Sequence, residues 1–214
     1  MNKLTEIADR CGTDKGSITD EGHQFTEFYL NYFEEIKKRK NITILEIGVY
    51  YGNSLKMLNE YFGEDNVEIY GVDINLSINK YSAPNVHVYN VNQNSKTDID
   101  NFLKDIGDKK FDIIIDDGSH QLQHQYHSML YLYKHLKEDG IYILEDLHTH
   151  VWANEKSQSP LYFLNFYNDP LSYITLQESN ELKEHIDTTT IFLRKNPKGL
   201  FNPYSITSII TFKQ

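Results

Sequence analysis

Apolar positions along the 214-residue chain follow two different periods. Short, largely apolar runs at Ile42–Ile47, Val67–Val72, Val86–Val91, Asp112–Ile115 and Ile141–Leu144 have the length of buried strands and are too short for helices. Between them, i, i+3, i+4 spacing predicts amphipathic helices over about Ser54–Phe62, over Asp98–Ile106 with Ile99, Phe102, Leu103 and Ile106 inward, and between Asp117 and Ile141. Strands alternating with helices predict βαβ units and an α/β, doubly wound, mostly parallel sheet. Upstream, residues 2–11 predict a short helix with Leu4, Ile7 and Ala8 on one face, stopped near Gly12. A longer helix, Phe25–Lys40, carries Phe25, Phe28, Tyr29, Tyr32, Phe33 and Ile36 as a core-facing stripe. Three late runs rich in Thr, Ile and Phe, at Tyr173–Gln177, Thr188–Arg194 and Ile206–Phe212, predict antiparallel strands closing one sheet edge. Residues 151–172 mix polar and aromatic positions and could form a helix over the site.

Two successive predicted strands end in paired acids, Asp116–Asp117 and Glu145–Asp146. Ligands in a doubly wound sheet bind outside the carboxyl ends of the strands, so all four carboxylates would reach one crevice. Such crowding is relieved either by proton uptake or by a cation, and oxygen ligands suit a hard ion such as Mg²⁺. Acids after strands also cap helices, and Asp117-Gly118-Ser119 fits a turn. Two pairs with His120 behind one and His148 behind the other favour a site over a pair of caps. His148 is placed either to contact substrate or to hold the loop. His120, His124 and His127 share a helical face, but no accompanying ligand pattern makes them a zinc site.

Upstream, Gly48 and Gly52 bracket a turn into a helix, where the backbone can approach a ligand and the helix dipole favours it. Tyr50 stands where a dinucleotide fingerprint has its second glycine, which weakens a nicotinamide or flavin reading. Asp73 ends the second strand, placed to accept both ribose hydroxyls of an adenosine ligand. Asn92, Gln93 and Asn94 follow the third strand, where they either read an adenine edge or form a turn.

A net charge of −10 argues against nucleic acid as a partner, since phosphate binding depends on Lys and Arg. The one cysteine, Cys11, excludes an internal disulfide framework and fits a reducing, cytoplasmic setting. The N-terminus is charged and lacks a signal-type apolar region, and no run is long enough to span a bilayer, so no membrane partner is expected. Sixteen tyrosines against one tryptophan suit either a pocket for polar, partly apolar ligands or strand packing. A chain this small is expected to work as a homodimer or higher homo-oligomer.

The segments LEIGVYYG, GVDIN, IDDGSH and LEDLHT, within residues 10–150, resemble the class I S-adenosylmethionine-dependent methyltransferases. More narrowly, the last two resemble the Mg-dependent macrolide sugar O-methyltransferases of mycinamicin and macrocin type, with cephalosporin-hydroxylase-like proteins as relatives. The resemblance implies a Rossmann-like, mostly parallel seven-stranded sheet with an antiparallel C-terminal strand. Residues 41–214 would form the methyltransferase body, and residues 1–40 a helical segment capping the cofactor site within the same domain. It also implies S-adenosyl-L-methionine and Mg²⁺ as cofactors and a sugar-containing small molecule as acceptor. Glu46, Gly48, Gly52 and Asp73 would hold the cofactor, with Asn92, Gln93 and Asp116 beside it. Thr13, Lys15 and His23 would lie near its carboxylate end. Asp117, Glu145 and Asp146 would hold the metal, His120 would act as base and His148 would meet the substrate. Where relatives often place an acid after the third strand, this sequence has Asn92-Gln93. Alternatives are a catechol or phenolic O-methyltransferase of the same fold, a non-catalytic adenosine-ligand module, and a nicotinamide oxidoreductase. Retention of Asp117, His120, Glu145 and Asp146 together argues against the module.

Overall fold

The computed structural model describes residues 2–17, 22–150, 175–195 and 204–213. Among these, seven strands form one sheet in the order β3-β2-β1-β4-β5-β7-β6. The strands are β1 (Ile42–Ile47), β2 (Val67–Asp73), β3 (Val86–Asn90), β4 (Phe111–Asp116), β5 (Leu136–Leu144), β6 (Ile186–Lys195) and β7 (Tyr204–Phe212). The first five are parallel, and β7 runs antiparallel to both β5 and β6. Every residue of β1 and β4 is buried, as expected where helices cover both faces of a parallel sheet.

Alternating side chains feed two cores. Leu45, Tyr70, Phe111 and Ile114 pack with Phe102 and Met129, from helices α4 (Lys96–Asp105) and α5 (Leu122–Leu132). Ile44, Ile69 and Ile113 pack on the opposite face with Leu4, Phe33 and Leu58, from α1 (Lys3–Cys11), α2 (Thr26–Ile36) and α3 (Asn53–Phe62). The N-terminal helices therefore share one apolar layer with the centre of the sheet. Among the described residues, no helix is long and apolar enough to cross a membrane.

Two expectations change. Tyr173–Gln177 is not a strand where it is described: Thr175 caps a helix, α6 (Leu176–His185), through a reciprocal capping box with Glu178. The T-x-x-E spacing outweighs the β-propensity of the run, because it satisfies orphan N–H groups at the helix start. The helix expected to reach Lys40 ends at Ile36, and Arg39 turns back to donate to Asp112 Oδ1 and the Asp139 carbonyl, both at 3.0 Å. The possible covering helix at 151–172 lies outside the described residues.

Strand ends are level where it matters for a site. Ile47 pairs with Asp116, and Asp116 with Leu144, so the residues that follow β1, β4 and β5 emerge side by side. Gly48 sits at this edge with φ +92°, and a Cβ there would strike the Asp117 backbone carbonyl. Gly107 has a similar φ of +75° but faces open space. Gly48→Ala should therefore cost roughly 3 kcal/mol or more, and Gly107→Ala about 1 kcal/mol, because only the former adds a clash to backbone strain. Urea unfolding of the two variants checks this, and equal losses would contradict the close approach at Gly48.

Candidate active site

The turn after β1 is held by Asp73. Its Oδ2 accepts from the backbone N–H groups of Val49 at 2.8 Å and Tyr50 at 3.0 Å, and its Oδ1 accepts from Asn75 N at 2.9 Å. The same carboxyl lines a crevice of about 510 Å³ together with Gly48, Asn92, Gln93, Asp117 and His120. A second cavity of about 460 Å³, lined by Thr13, Lys15 and Ser54, shares Asp14, Gly48, Tyr50 and Asp117 with the first. Together they have the size of a site for a nucleoside-bearing ligand.

Several expected contacts are placed differently. Gly52, expected to admit a ligand, faces protein, since a Cβ there would meet Asn79 Oδ1 and Tyr81 Cβ. Asp116, expected at the cofactor, is fully buried: Ser128 Oγ donates to its Oδ2, and Gln93 Nε2 donates to its Oδ1 at 3.2 Å. Its position as the last residue of a buried strand turns it into the core. Gln93 accepts from Ser119 N at 2.8 Å, so its amide braces the 116–119 turn rather than standing free for an adenine edge. Asn92 lines the crevice, and its Oδ1 accepts from Asn94 N at 3.0 Å. His124 and His127 bond Ser119 Oγ at 2.6 Å and Asn94 Oδ1 at 2.7 Å.

Asp117, His120 and Asp146 converge, each offering a ligand atom within 4.8 Å of the others. His120 Nε2 lies 3.3 Å from Asp146 Oδ2 and 4.0 Å from Asp117 Oδ1. Both His120 and Asp146 have φ +55°, a strained backbone that positions the two side chains. Glu145, expected beside Asp117 and Asp146 as a ligand, is not part of this cluster. It is 1% exposed and accepts from Lys15 Nζ at 2.8 Å and Tyr29 OH at 2.7 Å. Lys15, expected at a cofactor carboxylate, instead places its ammonium among protein acids. Besides Glu145, it donates to Asp117 Oδ2 and lies 4.0 Å from Glu46 Oε1. His23 Nε2 is 3.9 Å from Asp146 Oδ1, and its Nδ1 meets Ser205 Oγ at 2.7 Å. Thr13 is buried beside the second cavity. The side chain of His148 lies outside the described residues.

Tyr29 is a site residue that the hydrophobic pattern conceals, since it reads as one more member of an aromatic stripe. The available signal is chemical, because a fully buried tyrosine must place its hydroxyl on an acceptor. Burial dominates the electrostatics. It pushes Glu46 up to about 7 and Asp117 up to about 6, in both cases against the opposing pull of Lys15. Burial, then repulsion from Asp117, holds Glu145 well above the usual carboxylate range. Burial alone would discharge Lys15, but Asp117 and Glu145 overcome it and keep the ammonium charged.

The strand order, with the last strand inserted antiparallel beside β5 and a crevice at the carboxyl ends, defines a Rossmann-like methyltransferase fold. Residues 45–147, just under half of the chain, match the family described as a methyltransferase domain. It is 34% identical over 156 residues to an 8-demethyl-8-alpha-L-rhamnosyl tetracenomycin-C 2'-O-methyltransferase of Streptomyces olivaceus, covering 70% of this chain and 39% of the relative. It is 31% identical over 165 residues to the mycinamicin VI 2''-O-methyltransferase of Micromonospora griseorubida, covering 73% and 39%. The chain thus spans about two fifths of the length of the curated relatives it matches. The structure of the MycE methyltransferase in complex with Mg, SAH and mycinamycin VI aligns with a TM-score of 0.75 at 24% identity, over 100% of this chain and 55% of that one.

The shifted Glu46 generates a test. The unfolded chain releases this proton near the ordinary glutamate value of 4.5, whereas the folded protein keeps it to about 7. Ionising the buried group therefore destabilises the fold progressively across that window and fully above it. Glu46→Gln should gain stability over wild type as pH rises from about 5 to about 8, by up to roughly 3 kcal/mol. Metal-free thermal unfolding at the two pH values checks it; a pH-independent difference would contradict the assignment.

Proposed function

We propose that the chain acts as an S-adenosylmethionine- and Mg²⁺-dependent O-methyltransferase on a sugar hydroxyl in a nucleotide sugar, a glycan or a glycosylated natural product. The observation that carries this reading is the adjacency, within one crevice, of the Gly48–Asp73 turn and the Asp117–His120–Asp146 cluster. The names of the relatives share a single chemistry, O-methylation, on acceptors that include a rhamnosyl and an olivosyl group.

The cofactor supplies an electrophilic methyl group on a sulfonium centre, and the metal supplies positive charge that favours ionisation of an alcohol. The donor set fits the ion, since the carboxylate oxygens of Asp117 and Asp146 suit a hard divalent cation. Asp117 and Asp146 would hold it. Asp73, whose Oδ1 retains one lone-pair site beyond the three that its backbone contacts engage, accepts a ribose hydroxyl, and Thr13 bounds the cavity on the N-terminal side. His120 takes the acceptor proton at Nε2, the nitrogen that faces the acids; its Nδ1 has no hydrogen-bond partner among the described residues. Glu145, fixed by Tyr29 and Lys15, backs the acid layer. In this reading residues 41–214 are the methyltransferase body, residues 1–40 cap its cofactor side, and buried Cys11 suits a cytoplasmic setting.

Isothermal titration with S-adenosylhomocysteine should show micromolar binding to wild type, weakened about tenfold or more in Asp73→Ala. Absence of binding with and without Mg²⁺ would overturn the reading. With sugar-bearing acceptors, EDTA and Asp146→Asn should each abolish methylation. His120→Ala should lower the rate by ~10²–10⁴-fold while leaving S-adenosylhomocysteine affinity intact. Turnover that survives EDTA removes the metal from the mechanism.

A further inference from the structure

We propose that Lys15 is a tethered cation that occupies the acid cluster in the metal-free protein and yields Asp117 when a divalent ion binds. The inference rests on the metal reading above and deepens it. Asp117 is the shared element: one oxygen, Oδ2, accepts from the Lys15 ammonium, and the other, Oδ1, faces His120 within the ligand cluster. The ammonium is 1% exposed and sits among Asp117, Glu145 and Glu46. Two cations sharing one buried carboxylate repel each other, so lysine and metal compete for it.

The geometry also provides somewhere for the ammonium to go. Glu46 Oε1 is 4.0 Å from Lys15 Nζ, and neither oxygen of Glu46 has a hydrogen-bond partner among the described residues. A small swing of the flexible four-carbon stem converts that distance into a hydrogen bond while Glu145 is retained. The backbone need not follow. Thr26 N donates to the Lys15 carbonyl at 3.2 Å, Gln24 N to the Gly16 carbonyl at 3.1 Å, and Asn53 Nδ2 to the Gly12 carbonyl at 2.9 Å. Lys15 is accordingly a positioning residue: it keeps Asp117 and Glu145 in place without metal and hands one of them over when metal arrives.

The test is titration of Mg²⁺ and Mn²⁺ into wild type and Lys15→Met by calorimetry, without cofactor, with thermal unfolding in parallel. Lys15→Met should bind metal about tenfold more tightly and be stabilised more by it, since the competing charge is gone. Metal binding by the variant alone also supports competition. Equal or weaker binding in Lys15→Met than in wild type overturns this inference and leaves the metal reading standing, whereas no binding by either protein overturns both. Should Lys15→Met not fold, NMR of lysine side-chain ammonium groups in wild type decides. A slowly exchanging Lys15 signal should be present without metal and shift on Mg²⁺ addition; a signal absent without metal, or unmoved by it, overturns the proposal.

Discussion

Negative charge concentrated at the carboxyl ends of three neighbouring strands is the constraint to which the rest of the structure responds. Glu46, Asp116, Asp117, Glu145 and Asp146 come from β1, β4, β5 and the residues directly after them, and strand register places them side by side. Three of the five are essentially without solvent. A buried carboxylate is tolerated only when it is hydrogen-bonded, paired or protonated, and each solution is used here. Asp116 is satisfied by Ser128 and Gln93, Glu145 by Tyr29 and Lys15, and Glu46 by holding a proton to about 7.

The partners explain why the N-terminal residues are part of the same body. Lys15 and Tyr29 meet Glu145 across most of the described sequence, and His23 bridges toward Asp146 and Ser205 of β7. On the other side, Thr207 of β7 donates to the Leu144 carbonyl at 2.8 Å, fixing the end of β5 from which the acid pair emerges. The loop before α2 and the inserted antiparallel strand thus grip the same pair of acids from opposite ends of the chain. Apolar packing of α1 and α2 against Ile44 and Ile113 holds that grip in position.

Much of this was legible in the residues alone. Buried strands announce themselves as short apolar runs, and paired acids at their ends place a site before any coordinates are known. What is not legible is the division of labour within each pair. Asp116 and Asp117 are adjacent, yet the period of a strand sends their side chains apart, one into the core and one into the crevice. Glu145 and Asp146 divide in the same way, with Asp146 turned toward His120 by its positive φ. Contacts such as Lys15 to Glu145 depend on register between elements far apart in sequence. The capping box at Thr175 was readable, but a run rich in β-formers obscured it.

Asp73 shows why ligand binding and folding cannot be cleanly separated at such a site. Its two oxygens accept three backbone N–H groups that shape the turns after β1 and β2, and the turn it holds contains Tyr50 at φ +46°. A non-glycine residue persists in that region only when its surroundings enforce it. The carboxylate that faces the crevice is therefore also the anchor that keeps Gly48 against the Asp117 carbonyl, and through it the turn that carries His120. Any ligand that engages Asp73 acts on an element already coupled, through two backbone contacts, to the acid cluster. In this arrangement the turn held by Asp73 and the turn that carries His120 share one scaffold.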